Sequence, residues 1–367
     1  MTLCVLDDVQ TALIRELASN SFEMDAISEE VSFYGKELLG RGFVTTKDLQ
    51  IGWTIIGFSA LQLMCGVLVL WILIHMQMFH NAFGMFCAAR TIVEMMSSLL
   101  HLSYSGPMTV TQVNAITPII PMIVGFVAYS LMGISCALHV QLTLNRFVAV
   151  YFPLSYASVF SKRNCKYIVA MDVIMMMGLA SLFYLVPCNV MGYSPSYHGF
   201  IILACRNGSD RPFPIGTVLN FICQYALCIG AISIDCLTLF KIAMIDRKKG
   251  KLKDTKYNRN VRFFAQSAFQ NVPMLLNVVF LSISNYSTAD NVQVHRVLNF
   301  LLARFADFIN AVAIIMFNPE AYQFLWENIK KKRIRPSVIS NEFATTPQTT
   351  HLLTQWLAHE TDNECVH

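Results

Sequence analysis

Seven long apolar runs dominate the hydrophobic pattern of the chain, and polar segments separate them. Each run reaches the ~20 residues that an α-helix rising 1.5 Å per residue needs to cross a bilayer core about 30 Å thick. None alternates apolar and polar residues as the strands of a membrane barrel do. Because lipid offers the backbone no hydrogen-bond partner, the pattern predicts an all-α membrane protein, a seven-transmembrane helix bundle spanning residues 51–75, 83–103, 116–144, 167–190, 215–245, 263–284 and 297–317.

The basic residues predict the orientation of the chain. Only 14% of the residues are charged, against roughly 25% in a soluble domain. Most of the 27 Lys and Arg residues lie in segments that share one face, chiefly 246–262 and 330–335. Basic loops are retained in the cytosol, so the N-terminus is predicted outside and the C-terminus inside. Asn207 and Asn285 begin glycosylation sequons, which this topology places outside.

Composition divides the chain into four predicted segments. Residues 1–50 form an extracellular, partly disordered segment without a visible signal peptide, and residues 51–318 form the seven-helix domain. Residues 334–367 are a cytosolic tail, predicted to be disordered. Between them, residues 319–333 place Ala321, Phe324, Leu325 and Ile329 on one face before a basic end, which predicts an amphipathic helix on the membrane surface. The alternative is a frayed continuation of the seventh span.

Several function classes are disfavoured by what the sequence lacks. The 11 cysteines include no CxxC pair or metal-like spacing, and no HExxH, GxSxG or phosphate loop occurs, so neither an enzyme nor a cofactor or metal site is predicted. Basic residues flank the spans without interleaved aromatic residues, which argues against nucleic acid as a partner. A multispan transporter remains an alternative, although the halves do not repeat and only Pro273 lies well inside a span.

Two motifs lie at the predicted cytosolic ends of the third and seventh spans. In LNRFVAVYFPLSY, residues 144–156, Arg146 is followed seven residues later by a proline, and the second motif is FNPEAY. Together they resemble G-protein-coupled receptors, where Asp-Arg-Tyr and Asn-Pro-x-x-Tyr occupy these places. The segments FGMFC, GPMT and RFFAQSAFQ narrow the resemblance to nematode serpentine chemoreceptors of class X, within the rhodopsin-like superfamily.

The resemblance implies a receptor in the plasma membrane, by analogy in the sensory cilium of neurons. Such a receptor binds a small extracellular molecule and activates a cytosolic heterotrimeric G protein. The carried-over positions are Arg146, Pro153, Leu154 and Tyr156 for G-protein coupling, and Asn318, Pro319 and Tyr322 for an activation switch. Pro319 removes a backbone donor and loosens the end of the last span. A peptide or hormone receptor on the same fold is an alternative; an amine receptor is disfavoured because residues 116–140 contain no acid.

Two of the chain's departures from the superfamily pattern concern Arg146 and the candidate disulfide. Asn145 replaces the acid that normally precedes the arginine, so Arg146 is expected to have no neighbouring carboxylate that holds it at rest. Residues 116–135 contain no cysteine, which makes Cys188 and Cys205 the nearest candidate disulfide, closing a short outer loop. The sequence leaves open whether that bridge forms.

Charged residues inside the spans are costly, by about 2.5–3.5 kcal/mol each on insertion scales, and therefore need partners. The second span contains Arg90 and Glu94, and the seventh contains Arg304 and Asp307. Their depths predict a crossed double pair, Glu94 with Arg304 and Arg90 with Asp307. The alternative is that Arg90 and Glu94, at i and i+4, neutralise each other.

A ligand is expected between the outer halves of the helices. The mostly apolar surroundings and one deep cation favour a small molecule that carries a carboxylate. Aromatic residues at helical spacing more often belong to the packing, which is the alternative for most of this set. The candidate lining residues are Phe126, Tyr129, Phe221, Asn277, Phe280, Phe300 and Arg304.

Overall fold

A computed structural model describes residues 35–186, 189–203, 218, 225–249, 269–273, 275–276, 279 and 289–334. The described part is mostly helical and divides into two units, residues 1–322 and 323–367. The long helices are α1 (Thr46–His75), α2 (Ala82–Thr111), α3 (Ile119–Tyr151), α4 (Lys162–Leu185), α5 (Leu227–Lys249), α6 (Ala289–Met316) and α7 (Pro319–Ile334). Short helices cover Lys36–Leu38, Gln77–Phe79 and Tyr156–Val159, and two strands are β1 (Met191–Ser194) and β2 (Gly199–Ile202).

Within the described residues, α1 to α5 are each long and apolar enough to cross a bilayer. A sixth span is counted if α6 and the start of α7 are taken as one broken helix. Helix α6 corresponds to the seventh apolar run, 297–317. Most of the sixth run, 263–284, lies outside the described residues. Seven spans and the orientation of the termini therefore stay predictions.

Side-chain caps fix where several helices begin. Thr45 and Asp48 form a reciprocal capping box at α1, in which Asp48 N donates to Thr45 Oγ1 and Thr45 N donates to Asp48 Oδ2. Asn81 caps α2 by accepting a hydrogen bond from Gly84 N, and Ser161 caps α4 by accepting one from Asn164 N. The capping residues are polar, and each of these three helices begins a few residues before its apolar run starts.

Helix α2 extends beyond its predicted end because a π turn carries it past the polar segment after residue 100. The turn covers His101–Ser105, and Pro107 follows it as a residue that donates no backbone hydrogen bond. The turn directs His101 and Ser105 into the bundle, where His101 Nδ1 and Ser105 Oγ are 3.0 Å apart. The wider turn thus changes which side chains the outer part of α2 buries.

Helix α3 is the central element of the bundle. It packs against α2, α4, α5 and β1, while α1 packs against α2 and α6. The β1–β2 hairpin pairs Met191 with Ile202 and Ser194 with Gly199 in antiparallel register. It approaches α3 closely because Gly125 has no side chain there: a Cβ at that position would lie 2.7 Å from the Met191 carbonyl oxygen.

Residues 35–45 join the hairpin to the start of α1. Ser194 Oγ donates to the Glu37 carbonyl at 2.6 Å. Asp48, fully buried, accepts from Arg41 Nη2 at 2.5 Å and from His198 Nε2 at 2.6 Å. The carboxylate of Asp48 therefore ties the preceding segment and the hairpin turn to the first helix.

Candidate functional site

The four charges within the apolar parts of α2 and α6 are paired within each helix. Arg90 Nε donates to Glu94 Oε1 at 2.9 Å, and Arg304 Nη1 lies 3.1 Å from Asp307 Oδ2. The crossed pairing predicted from depth is therefore wrong, and the alternative i,i+4 pairing of Arg90 with Glu94 is the one observed. The physical reason is local: residues three and four apart lie on one face of a helix, so each charge finds its partner without a second helix.

Uncharged polar groups join the two helices instead. Asn310 Nδ2 donates to Glu94 Oε1 at 3.1 Å, and Arg304 Nη1 donates to Ser97 Oγ at 2.8 Å. Ser135 of α3 adds a longer bond to Glu94 at 3.4 Å. The rarity of charges in apolar spans does not point to these three residues. The signal that marks them in the sequence is an amide or a hydroxyl inside an apolar run.

All four charges line one cavity between α2, α3, α5 and α6. Its volume is about 80 Å³, and its polar lining includes Arg90, Glu94, Ser97, Arg304, Asp307 and Asn310. Within the described part of the chain, two buried lining atoms make no hydrogen bond to protein, Arg304 Nε and Asn310 Oδ1. One water needs roughly 10–15 Å³ measured in this way, so the cavity has room for several waters or for one small polar molecule.

Aromatic side chains separate this cavity from the hairpin. His101 and Phe300 meet edge to face with ring centroids 5.1 Å apart, and Tyr193 and Phe200 do so at 5.2 Å. His101 is one turn beyond Ser97 in α2, and Phe300 is one turn before Arg304 in α6. This cluster therefore lies about one helical turn from the charged residues, toward the predicted outer face.

Tyr193 of β1 is the centre of the aromatic cluster and is fully buried. Thr109 donates its hydroxyl proton to the Ser105 carbonyl at 2.8 Å, so the Tyr193 hydroxyl donates to Thr109 Oγ1, 2.5 Å away. Burial raises the pKa of the Tyr193 hydroxyl, which keeps it neutral and able to donate. Tyr193 and Phe200 of the hairpin thus pack over the outer side of the cavity.

Only part of the predicted ligand-binding set reaches the cavity. Arg304 lines it, and Phe300 stacks beside Arg304 with the guanidinium 5.9 Å from the ring centroid. Phe126 and Tyr129 instead pack edge to face against Tyr184 and Phe183 of α4, in the hydrophobic core, and do not line this cavity. The remaining candidates, Phe221, Asn277 and Phe280, lie outside the residues whose side chains the structure describes.

Arg146 is 9% exposed and has a carboxylate partner. Its Nη1 lies 4.0 Å from Asp235 Oδ1 of α5, and its guanidinium lies 5.3 Å from the ring centroid of Phe83. The expectation that no carboxylate holds this arginine is therefore wrong. The acid is supplied by another helix, while Asn145 donates through Nδ2 to the Tyr156 hydroxyl at 3.1 Å.

The loop after α3 exposes Pro153 and Leu154 of the first motif. Pro153 is exposed, and Leu154 is 98% exposed. In the second motif, Asn318 Oδ1 accepts from Ala321 N at 3.3 Å and thereby caps α7, which begins at Pro319. The chain therefore breaks its helix at Phe317 and Asn318, and Tyr322 is 59% exposed.

The family model for the serpentine type 7TM GPCR chemoreceptor Srx matches residues 56–318, most of the chain. The chain belongs to this family. The match covers the cavity, Arg146 and the loop that carries Leu154, and it ends at Asn318. No curated protein sequence matches the chain significantly.

Membership makes this chain a G-protein-coupled chemoreceptor of the serpentine type, and its apolar helices agree with a multi-pass membrane protein. The candidate disulfide between Cys188 and Cys205 and the sequons at Asn207 and Asn285 lie outside the described residues. They stay predictions for this receptor.

Proposed function

We propose that the receptor binds a small extracellular molecule in the cavity between α2, α3, α5 and α6 and activates a heterotrimeric G protein from the end of α3. The observation that carries this proposal is a cavity lined by two arginines and two carboxylates, in which Arg304 Nε and Asn310 Oδ1 have no hydrogen-bond partner among the residues that the structure describes. Buried donors and acceptors without partners are costly, and a bound polar molecule removes that cost.

The cavity favours a ligand with a carboxylate group. Arg304 presents a free N–H, and a guanidinium offers only donors, so its complement is an acceptor such as a carboxylate oxygen. Asn310 Oδ1 accepts, so a hydroxyl or amino group elsewhere on the ligand completes the fit. The volume of about 80 Å³ restricts the ligand to a few heavy atoms unless the aromatic cluster moves.

The cytosolic contact is proposed for the end of α3 and the loop after it. Arg146 provides a permanent cation with five donors, which can bond to carbonyl oxygens of a docking partner. Leu154 adds an exposed apolar contact beside Pro153, and Tyr156, bonded to Asn145, fixes the base of the loop. The plasma membrane, and the sensory cilium by family resemblance, is the proposed location.

A reporter cell expressing the full chain with a panel of G proteins tests both parts. The probes are carboxylates of two to five carbons, each beside its uncharged amide. Carboxylates are expected to evoke a response, Arg304→Gln to lower their potency at least tenfold, and Arg146→Ala to abolish activation at equal surface expression. The matched control is Arg163→Gln, which changes an exposed arginine at the start of α4.

Two outcomes would contradict the proposal. If the amides were as potent as their carboxylates and Arg304→Gln left that potency unchanged, the cavity would not be the ligand site. Full activation by Arg146→Ala would remove the end of α3 as the G-protein contact.

A further inference from the structure

A continuous chain of buried polar side chains connects the cavity with Arg146. Arg90 Nη1 donates to His139 Nδ1 at 2.6 Å, and His139 Nε2 donates to Asn271 Oδ1 at 2.7 Å. Asn271 Nδ2 then donates to Asp235 Oδ2 at 2.8 Å, and the other oxygen of Asp235 faces Arg146. Because Arg90 also bonds to Glu94, the chain runs from the cavity lining to the predicted cytosolic end.

The donors and acceptors along this chain fit in one direction only. Arg90 can only donate, so His139 Nδ1 accepts and the ring carries its proton on Nε2. The Asp235 carboxylate accepts from the amide nitrogen of Asn271, which leaves the amide oxygen to accept from His139. His139 is therefore a neutral ring with both nitrogens engaged, and turning either His139 or Asn271 breaks bonds on both sides.

This series of hydrogen-bonded side chains crosses several helices and is shielded from solvent. Glu94 and Arg90 belong to α2, His139 and Arg146 to α3, and Asp235 to α5, while Asn271 lies in the helical segment 269–273. His139 is 1% exposed, and Asn271 is 8% exposed. Polar groups buried at this depth are costly unless they bond to each other, so displacement at one end disturbs the neighbours in turn.

We infer that Asp235 is the resting counter-ion of Arg146, and that Asn271 and His139 couple this pair to the cavity. At 4.0 Å, Arg146 and Asp235 are at the limit of a direct ion pair, so a small displacement of Asp235 separates them. A ligand that pulls on Arg90 or Glu94 moves His139, then Asn271, and withdraws Asp235. The consequence of that release rests on the proposed function, in which the freed Arg146 contacts the G protein.

Thermal unfolding of the solubilised full chain tests the ion pair without any ligand or G protein. A thiol-reactive fluorophore reports unfolding as a rise above the labelling of exposed Cys236, because Cys87, Cys165 and Cys228 are buried. Arg146→Gln and Asp235→Asn are expected to lower Tm, and the double variant to lower it by clearly less than the two shifts together. The control carboxylate is Asp172, which is buried in α4 beside Gln141, and Asp172→Asn should add independently to Arg146→Gln. Additive shifts for Arg146 and Asp235 would overturn the pairing.

The connection through His139 is tested with Glu94 and Asp235, the acids on its two sides in the series of hydrogen bonds. Glu94→Gln and Asp235→Asn are expected to change Tm non-additively in the wild-type background and additively when His139→Phe removes both ring nitrogens. The stability changes at independent sites add, so non-additivity that disappears with His139→Phe shows that Glu94 and Asp235 are coupled through His139. Coupling that is absent, or that survives His139→Phe, would overturn the connection.

Basal signalling separates this inference from the proposed function. With surface expression matched, Asp235→Asn is expected to raise ligand-independent G-protein activity at least threefold, and Asp172→Asn to leave it unchanged. Non-additive Tm shifts for Arg146→Gln and Asp235→Asn without raised basal activity would support the ion pair and contradict G-protein activation through Arg146. Raised basal activity with additive Tm shifts would support the proposed function and overturn the inference.

Discussion

Replacement of Arg90 by Met tests how strongly the cavity charges stabilise the receptor. The variant keeps an apolar chain of similar length but leaves the Glu94 carboxylate, 3% exposed, without its cation. It also removes the donor to His139. We therefore expect Arg90→Met to lower the free energy of unfolding substantially.

The magnitude follows from two contributions. Removing one partner of a buried ion pair costs about 3–5 kcal/mol, because an uncompensated charge remains. An interhelical hydrogen bond in a membrane protein contributes about 0.6 kcal/mol on average and up to about 1.7. The expected loss is therefore about 4–6 kcal/mol, which is comparable with the whole stability of many folded proteins, about 5–15 kcal/mol.

Reversible unfolding in mixed detergent micelles measures this loss, and a double variant sharpens the reasoning. Arg90→Met combined with Glu94→Leu removes both charges, so only the bonds to His139, Asn310 and Ser135 are lost, about 2 kcal/mol at the average of about 0.6 kcal/mol each. The double variant should thus be more stable than Arg90→Met alone. Arg163→Met, at an exposed position, should change stability by no more than about 0.5 kcal/mol. A double variant as unstable as the single one would refute the ion-pair argument.

Three further substitutions test the hairpin and the helix break. Tyr193→Phe removes the bond to Thr109 and should lower the free energy of unfolding by about 0.5–1.5 kcal/mol, whereas Tyr197→Phe, at an exposed position of the hairpin turn, should not. His198→Ala breaks the bond to Asp48 and should speed amide hydrogen exchange in residues 191–202 without affecting α4; unchanged exchange would contradict the tie. Asn318→Ala removes the cap of α7 and should destabilise that helix by about 1 kcal/mol, measured as faster exchange after Pro319, while Asn318→Ser should retain most of the cap.

Helices were the most predictable part of this receptor. The apolar runs predicted α1, α3 and α4 closely, because a bilayer-length run without internal polar breaks has few alternatives to a helix. The β1–β2 hairpin was not predicted. Its strands have four residues each and lie between two spans, and their register depends on packing against α3 and residues 35–45 rather than on a strong local pattern.

The candidate site was predictable in its residues but not in its pairings. Arg90, Glu94, Arg304 and Asp307 were recognisable because charges are rare in apolar spans. Whether each charge pairs along its own helix or across to the other helix depends on how the two helices are rotated about their axes, which one sequence does not specify. The pairing of Arg146 with Asp235 is the clearest case, because nothing local in the sequence connects α3 with α5.

Because the carboxylate that faces Arg146 belongs to Asp235 of α5, a different part of the receptor must move to release Arg146. Where the acid precedes the arginine in the same helix, the two side chains can separate by rotating within one helix. Here Asn145 occupies that position and bonds to Tyr156, while the carboxylate belongs to α5. Separation therefore requires Asp235 to be displaced relative to α3, by movement of α5 or of the Asn271 side chain that holds it. Replacing Asn145 by Asp should place a second acid beside Arg146 and lower ligand-independent activity in the Asp235→Asn background. Failure to do so, at equal surface expression, would show that a carboxylate in the same helix cannot substitute for one in α5.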